Sequence, residues 1–230
     1  KQLKHDPANP KWEERDRIVL SKGHAGPVMY SVLAERGFFP KSWLMTLNDP
    51  GTNLPSHTDR LKTPGVDATT GSLGQGTSEA AGIAQALALK GSDAYTYLIV
   101  GDGELNEGQC WEAFQFIAAK KLSNCIVFID SNKKQLDGTI DEVLYGFDYV
   151  EKMKAFGFET QKVNGQDIAA IDAAIEAAKQ NKSSANAIVL DTVKGAGVKY
   201  FETAVSNHSM KWNNDEINQA TDEAIAHFDA

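Results

Sequence analysis

Three short apolar runs rich in β-branched residues, at 95–100, 124–130 and 187–192, are separated by longer segments with helical periodicity. A strand that is apolar at consecutive positions must be covered on both faces, as the strands of parallel sheets between helices are. Weaker strand candidates lie at 17–21 and 158–163, and helical segments at 26–36, 75–90, 107–121, 168–180 and 216–228. The alternation predicts an α/β fold: a doubly wound, mostly parallel sheet flanked by helices. No repeat or low-complexity linker interrupts it, so residues 1–230 read as a single domain, long enough for one large core.

Net charge is −8, with acidic and basic residues mixed and no basic stripe, which excludes nucleic acid as the main partner. No apolar run approaches the roughly 18 residues of a membrane span and no signal-peptide pattern opens the chain, so no membrane is expected and the cytoplasm is the expected location. Both cysteines, Cys110 and Cys125, sit in apolar segments without metal-ligand spacing and read as buried reduced thiols. The chain opens on Lys1 rather than Met, so the natural start is expected further upstream.

The run Leu98-Ile99-Val100 stops at Gly101-Asp102-Gly103, and Asp102, Glu104 and Glu107 follow one another closely. In open α/β sheets ligands bind beyond the carboxyl ends of the strands. Asp130-Ser131-Asn132 falls at the end of the next run, so adjacent strands would set Asp102 and Asn132 side by side. Asn106 is predicted to cap the next helix, with Gln109 three residues on as a capping-box variant. That helix N-terminus would favour an anion by roughly 0.3–1 kcal/mol. Asp102 and Asn132 are hard oxygen donors suited to magnesium, usually held by one or two protein groups plus phosphate. The flanking glycines would let backbone approach a diphosphate. Gly-Asp-Gly by itself is also the composition of an ordinary acidic turn.

The gap from Gly103 to Asn132, room for one helix and one strand, strengthens the pattern, and here the sequence resembles the thiamine-diphosphate enzymes. Within them it is similar to transketolase, nearly end to end. The stretches that carry the resemblance are DRIVLSKGHAGPVMYSVLAERGFFP, LPSHTDRLKTPGVDATTGSLGQG, GDGELNEGQCWEA, FIDSNKKQLDG and VKGAGVKYFETAVSNHSMKW. SKGHA and TTGSLGQG are the most specific. The resemblance implies the thiamine-diphosphate-binding fold, and within it the diphosphate-binding domain. It implies that Asp102 and Asn132 hold Mg2+ (or Ca2+ or Mn2+ in its place) by side chain and Lys134 by its backbone carbonyl. Gly103 would lie against the diphosphate of thiamine diphosphate, Gly71 and Leu73 against its aminopyrimidine ring, and Glu107 at a subunit contact linking paired sites. Of five histidines, His24, His57 and His208 fall in the resembling stretches. Imidazoles exchange protons near neutral pH. The resemblance gives these three contacts to diphosphate, substrate hydroxyls and the reacting carbonyl oxygen, with His24 and His208 touching the cofactor as well. His5 and His227 read as packed or solvated.

The implied reaction, of the pentose phosphate pathway type, moves a two-carbon ketol unit from a ketose phosphate to an aldose phosphate. The family's cofactor-activating glutamate lies in a pyrimidine-binding domain that nothing here resembles. The chain is therefore expected to be the N-terminal subunit of a split transketolase, inactive without a C-terminal subunit that carries that domain. Assembly as a homodimer or heterotetramer is expected. A family segment preceding KHDPANPKWEERDR, with a further histidine, is also missing from the sequence. Alternatives are a fragment of deoxyxylulose-phosphate synthase, a 2-oxo acid dehydrogenase α-subunit, or a non-catalytic cofactor-binding scaffold. SKGHAGP and the His57 loop favour transketolase. The spacing of Trp111, Phe114 and Phe116 reads as core or subunit interface, IAAIDAAIEAAK as an amphipathic helix without chemistry, and Lys133 with Lys134 as phosphate-balancing or solvated.

Overall fold

The apolar runs become strands of one five-stranded sheet in a computed structural model that describes residues 1–210 and 213–228. Its spatial order is β1 (Arg17–Leu20), β2 (Thr96–Gly101), β3 (Cys125–Ser131), β7 (Asn186–Asp191) and β6 (Glu159–Asn164), and every pairing is parallel. Successive side chains point to opposite faces. Leu98, Val100, Val127, Ile129 and Val189 enter one core with α2 (Gln75–Leu89), α3 (Gly108–Ala119) and α5 (Tyr149–Ala155). Tyr97, Ile126, Phe128 and Ile188 enter a second core against α6 (Ile168–Gln180). On that same face Leu20, Ile18 and Ile99 pack with α1 (Gly26–Glu35). Fully burying one such side chain contributes about 1.5–3 kcal/mol, which is why consecutive apolar residues demand helices on both sides.

The chain lays down β1, β2 and β3 side by side, then crosses to β6 at the far edge and returns through β7. Strand order therefore reverses between β3 and β7, and the crevice beyond that reversal is where doubly wound sheets take ligands. A two-residue hairpin, β4 (Lys134–Gln135) with β5 (Gly138–Thr139), follows β3 directly and leads into α4 (Ile140–Val143). Thr139 and Glu142 form a capping box that starts this turn of helix. After β7 come α7 (Lys199–Thr203) and α8 (Asn214–Phe228).

Asn106 does not cap α3, contrary to the sequence expectation. Asp102 accepts from the Gly103 N–H and starts a 3-10 turn over Gly103–Asn106, so Asn106 is wound into that turn. Glu107 takes the N-cap position with extended backbone and no side-chain cap, and α3 begins at Gly108. Gln109 turns to the Leu73 carbonyl instead. The aromatic spacing on α3 divides: Phe114 is fully buried, Trp111 packs edge-on against it, and Phe116 faces outward. Cys110 and Cys125 are buried free thiols, and burial pushes both up to about 12. The Cys110 thiol donates to the Glu104 carbonyl at 3.3 Å. Among the described residues no helix is long and apolar enough to cross a membrane.

Candidate active site at the strand tips

Gly101 sits opposite Asp130 in the β2–β3 ladder, and the Asp102 N–H bonds the Asp130 carbonyl at 3.1 Å. Asp102 and Asn132 thus leave neighbouring strands and line one cavity of about 590 Å3, as the sequence reading requires. Asp102 is only 1% exposed. Its carboxylate accepts from the Gly103 N–H at 2.9 Å and from the Lys133 N–H at 2.6 Å. Lys133 reaches it from left-handed backbone at φ 66°. Burial nevertheless pushes the Asp102 carboxyl up to about 6, with Asp130 adding to the rise and the two N–H groups opposing it.

Asn132 is held by its neighbours. Its amide donates to Asp130 at 3.1 Å, and its carbonyl oxygen accepts from the Lys134 N–H at 3.1 Å. Asp130 also receives Lys22 and Thr192. Burial works to raise the Asp130 carboxyl, but Lys22, Thr192 and Asn132 outweigh it and hold the group below the usual range. Lys134 lines the cavity and sends its ammonium to the Ala204 carbonyl at 3.1 Å. Lys133 turns away to Asp191 and Thr192.

Two of the three selected histidines face one another: the His24 and His208 rings lie 5.1 Å apart, both on the cavity wall. Lys194 stands 3.1 Å from the His208 ring. Burial, then His208, Lys22, Lys194 and His57, lower His24 to about 4, and burial with Lys194 and Lys22 lowers His208. Burial and the charge of Lys22 lower Lys194 in turn. His57 is felt electrostatically by His24 but lies outside the cavity wall, against Gly71, where an added Cβ would meet its ring at 3.4 Å. His5 stacks on Phe38 and accepts from Arg36, and His227 packs on Phe228.

Gly103 and Leu73 line the cavity with Asp102; Gly71 does not, and Glu107 lies exposed at the start of α3, away from it. Lys22, Asp130, Lys194, Gln135 and Glu104 are cavity residues that sequence reasoning passed over. A signal was available for all five, since each falls inside one of the resembling stretches.

The donor set fits a divalent ion carrying a polyphosphate. The cavity holds a desolvated carboxylate bonded by two backbone N–H groups, with an amide oxygen on the same wall. Lys22, paired with Asp130, and Lys194, His24 and His208 line the same cavity, where burial first and then neighbouring positive charge lower Lys194 and both imidazoles. The buried Gln135 Nε2 on the same wall has no acceptor. Among the described residues no three His, Cys, Asp or Glu side chains converge as a metal cage. A cation here would rely on Asp102, amide or carbonyl oxygens and ligand phosphate, the coordination that magnesium favours.

The family model described as transketolase, thiamine diphosphate binding domain, matches residues 1–227. The 6-deoxy-6-sulfo-D-fructose transketolase subunit SqwG of Clostridium sp. (strain MSTE9) is 46% identical over 209 residues, covering 91% of this chain and 76% of that protein. An apulose-4-phosphate transketolase subunit from Actinobacillus succinogenes is 37% identical over 221 residues, covering 96% of this chain and 80% of that protein. A solved transketolase variant from Pichia stipitis superposes with a TM-score of 0.90 at 34% identity; it spans 96% of this chain, which in turn covers only 35% of it.

Proposed function

The chain belongs to the transketolase thiamine-diphosphate-binding-domain family, and from that premise we propose that it is the diphosphate-binding subunit of a two-chain transketolase. In this reading it binds thiamine diphosphate with Mg2+. Together with a partner subunit carrying a pyrimidine-binding domain, it transfers a two-carbon ketol unit from a ketose to an aldose bearing a terminal anionic group. The supporting observation is one cavity lined by the Asp102 carboxylate and the Asn132 amide together with two ammonium groups, Lys22 and Lys194, and two imidazoles, His24 and His208.

Thiamine diphosphate, when bound, supplies a thiazolium carbon able to carry a two-carbon unit between sugars. The chain's own residues would hold it and handle protons. Asp102 and Asn132 would ligate Mg2+ through side-chain oxygens, and Lys134 through its backbone carbonyl. Gly103 would meet the diphosphate, and Gly71 and Leu73 the aminopyrimidine ring. Lys22 and Lys194 would meet diphosphate charge, which relieves their repulsion of His24 and His208. Burial is the first cause that holds both imidazoles below their usual range, so they would regain only the part of their basicity that the lysine charges remove. With His57 they would donate and accept protons at substrate oxygens.

Two relatives named as transketolase subunits support the two-chain arrangement, because this chain spans 76% and 80% of their lengths. Glu107, exposed at the start of α3, would face a second copy in a homodimer or in a heterotetramer with the partner. The proposed location is the cytoplasm. The test is a ketol-transfer assay with thiamine diphosphate and Mg2+, on the pure chain and on the chain co-purified with a pyrimidine-domain partner. Turnover is expected only from the pair. Turnover by the chain alone would refute the two-chain assignment, and none from a stable pair across phosphorylated and sulfonated ketoses would refute the reaction.

A further inference from the structure

We propose that Glu104 and Gln109 form a two-point clamp on one peptide group, the one joining Leu73 to Gly74, and that this clamp seats the ring end of the cofactor. The inference rests on the cofactor reading above and adds residues to which that reading assigns nothing. The Gly74 N–H donates to Glu104 Oε1 at 2.7 Å, and Gln109 Nε2 donates to the Leu73 carbonyl at 2.7 Å. A peptide unit is planar and turns only about the bonds that flank it. With its N–H held from one side and its C=O from the other, this plane has one orientation.

The clamp is anchored more firmly than a surface contact. Glu104 is 2% exposed, and its carboxylate also accepts from the Ser21 hydroxyl and, at 3.2 Å, from the Gly101 N–H. It thereby ties the ends of β1 and β2 to the start of α2. Gly74 sits at φ 85° in the left-handed region, and a Cβ there would meet Gln109 Cγ at 2.6 Å. Glycine therefore serves twice, allowing the backbone turn and letting Gln109 close in.

Glu104 follows Asp102-Gly103 directly and Gln109 lies in the first turn of α3 just beyond, and Leu73 lines the same cavity as Asp102 and Gly103. The spacing between the turn that would face the diphosphate and the loop that would face the ring is thus set by two hydrogen bonds to one peptide. Glu104 and Gln109 are positioning residues: Gln109 acts only through the Leu73–Gly74 peptide, and Glu104 through that peptide and the strand ends.

The test compares two probes on the full chain by calorimetry, each with Mg2+: thiamine diphosphate, which has a ring end, and inorganic pyrophosphate, which has none. Gln109→Met keeps side-chain volume and removes the donor. It is expected to weaken thiamine diphosphate on the order of five- to tenfold, the usual effect of one lost hydrogen bond, and to leave pyrophosphate within about twofold. Amide exchange at Gly74 should quicken while the global unfolding midpoint holds. Glu104→Gln keeps an oxygen for the Gly74 N–H and turns an amide toward the Gly101 N–H, so it should lower stability while leaving the ratio of the two affinities within about twofold of wild type. Equal weakening of both probes in Gln109→Met, or of neither, would overturn the clamp while leaving the cofactor reading standing. Wild-type chain that takes up neither probe, alone or with its partner, would instead refute the cofactor reading and this role with it.

Discussion

Replacing Asp102 by asparagine in cation-free protein should raise stability near neutral pH and lose that advantage in acid. The folded carboxyl is pushed from 3.8 to about 6, chiefly by burial. A rise of that size corresponds to about 3 kcal/mol of penalty on the ionised group in the folded state. Asparagine removes the charge but has one acceptor oxygen, so either the Gly103 or the Lys133 N–H loses its partner, at a loss of about 1–2 kcal/mol. The variant should therefore be about 1 kcal/mol more stable at about pH 7.5. Because the folded value is raised, the stabilising effect of proton uptake at Asp102 is fully present below 3.8 and lost as pH rises through about 6. Between about pH 7.5 and about pH 4.5, wild type should recover about 2 kcal/mol that the variant cannot. His24, lowered to about 4, runs the other way in both proteins and cancels in the difference. Urea unfolding of both proteins in chelator at the two pH values reads the effect. A stability difference that stays constant to within about 0.5 kcal/mol would refute the desolvated carboxylate. With Mg2+ and thiamine diphosphate at 100 times the dissociation constant, wild type should gain roughly 2.7 kcal/mol and the variant far less.

Lys194→Met should weaken thiamine diphosphate binding in calorimetry and move the NMR-detected titrations of His208 and His24 upward, because Lys194 is among the charges depressing both. Asp67→Ala should lose about 3–5 kcal/mol in denaturant unfolding, since it strands a partly buried guanidinium. Asp67 accepts from Arg15 at 3.0 Å and from the Ile18 N–H at 2.9 Å. Two glycines of α2 should respond oppositely in thermal melts. Gly76→Ala drives a Cβ to 2.7 Å from the Ser21 Cα and should destabilise by about 1–3 kcal/mol. Gly82→Ala enters open space and should gain about 0.5–1 kcal/mol from helix propensity.

Strands β2, β3 and β7 were legible because burial on both faces leaves consecutive apolar residues; β1 shows a shorter run, Ile18-Val19-Leu20, and β6, with polar residues at most positions, gave the weaker signal of an edge strand. The sheet's ends differ from expectation by a residue or so. The β4–β5 hairpin and the helices α4, α5 and α7 were not foreseen; elements of two to seven residues are too short to display a period. The misplaced cap at Asn106 has a similar origin. An Asn before an apolar segment looks alike whether the chain is about to enter a helix or is already wound in a 3-10 turn.

At the site, the placing of Asp102 beside Asn132 followed from adjacent strand tips, and His24 and His208 were selected from separate resembling stretches, but that their rings face one another was not legible. The contacts that hold these groups were not visible. Ser21 meets Glu104 across 83 residues of chain and Lys22 meets Asp130 across 108, and only the folded register brings them together. Nothing local in the sequence marks Gln109 as the partner of Leu73.

Cys110 and Cys125, both enclosed and poorly ionised, give this protein a pair of internal clocks. Alkylating reagents react with the thiolate, so neither sulfur can be tagged until its surroundings come apart. Mass spectrometry after timed labelling would count openings: Cys125 reports departure of the central strand, while Cys110, hydrogen-bonded to the Glu104 carbonyl, reports loosening beside the cavity.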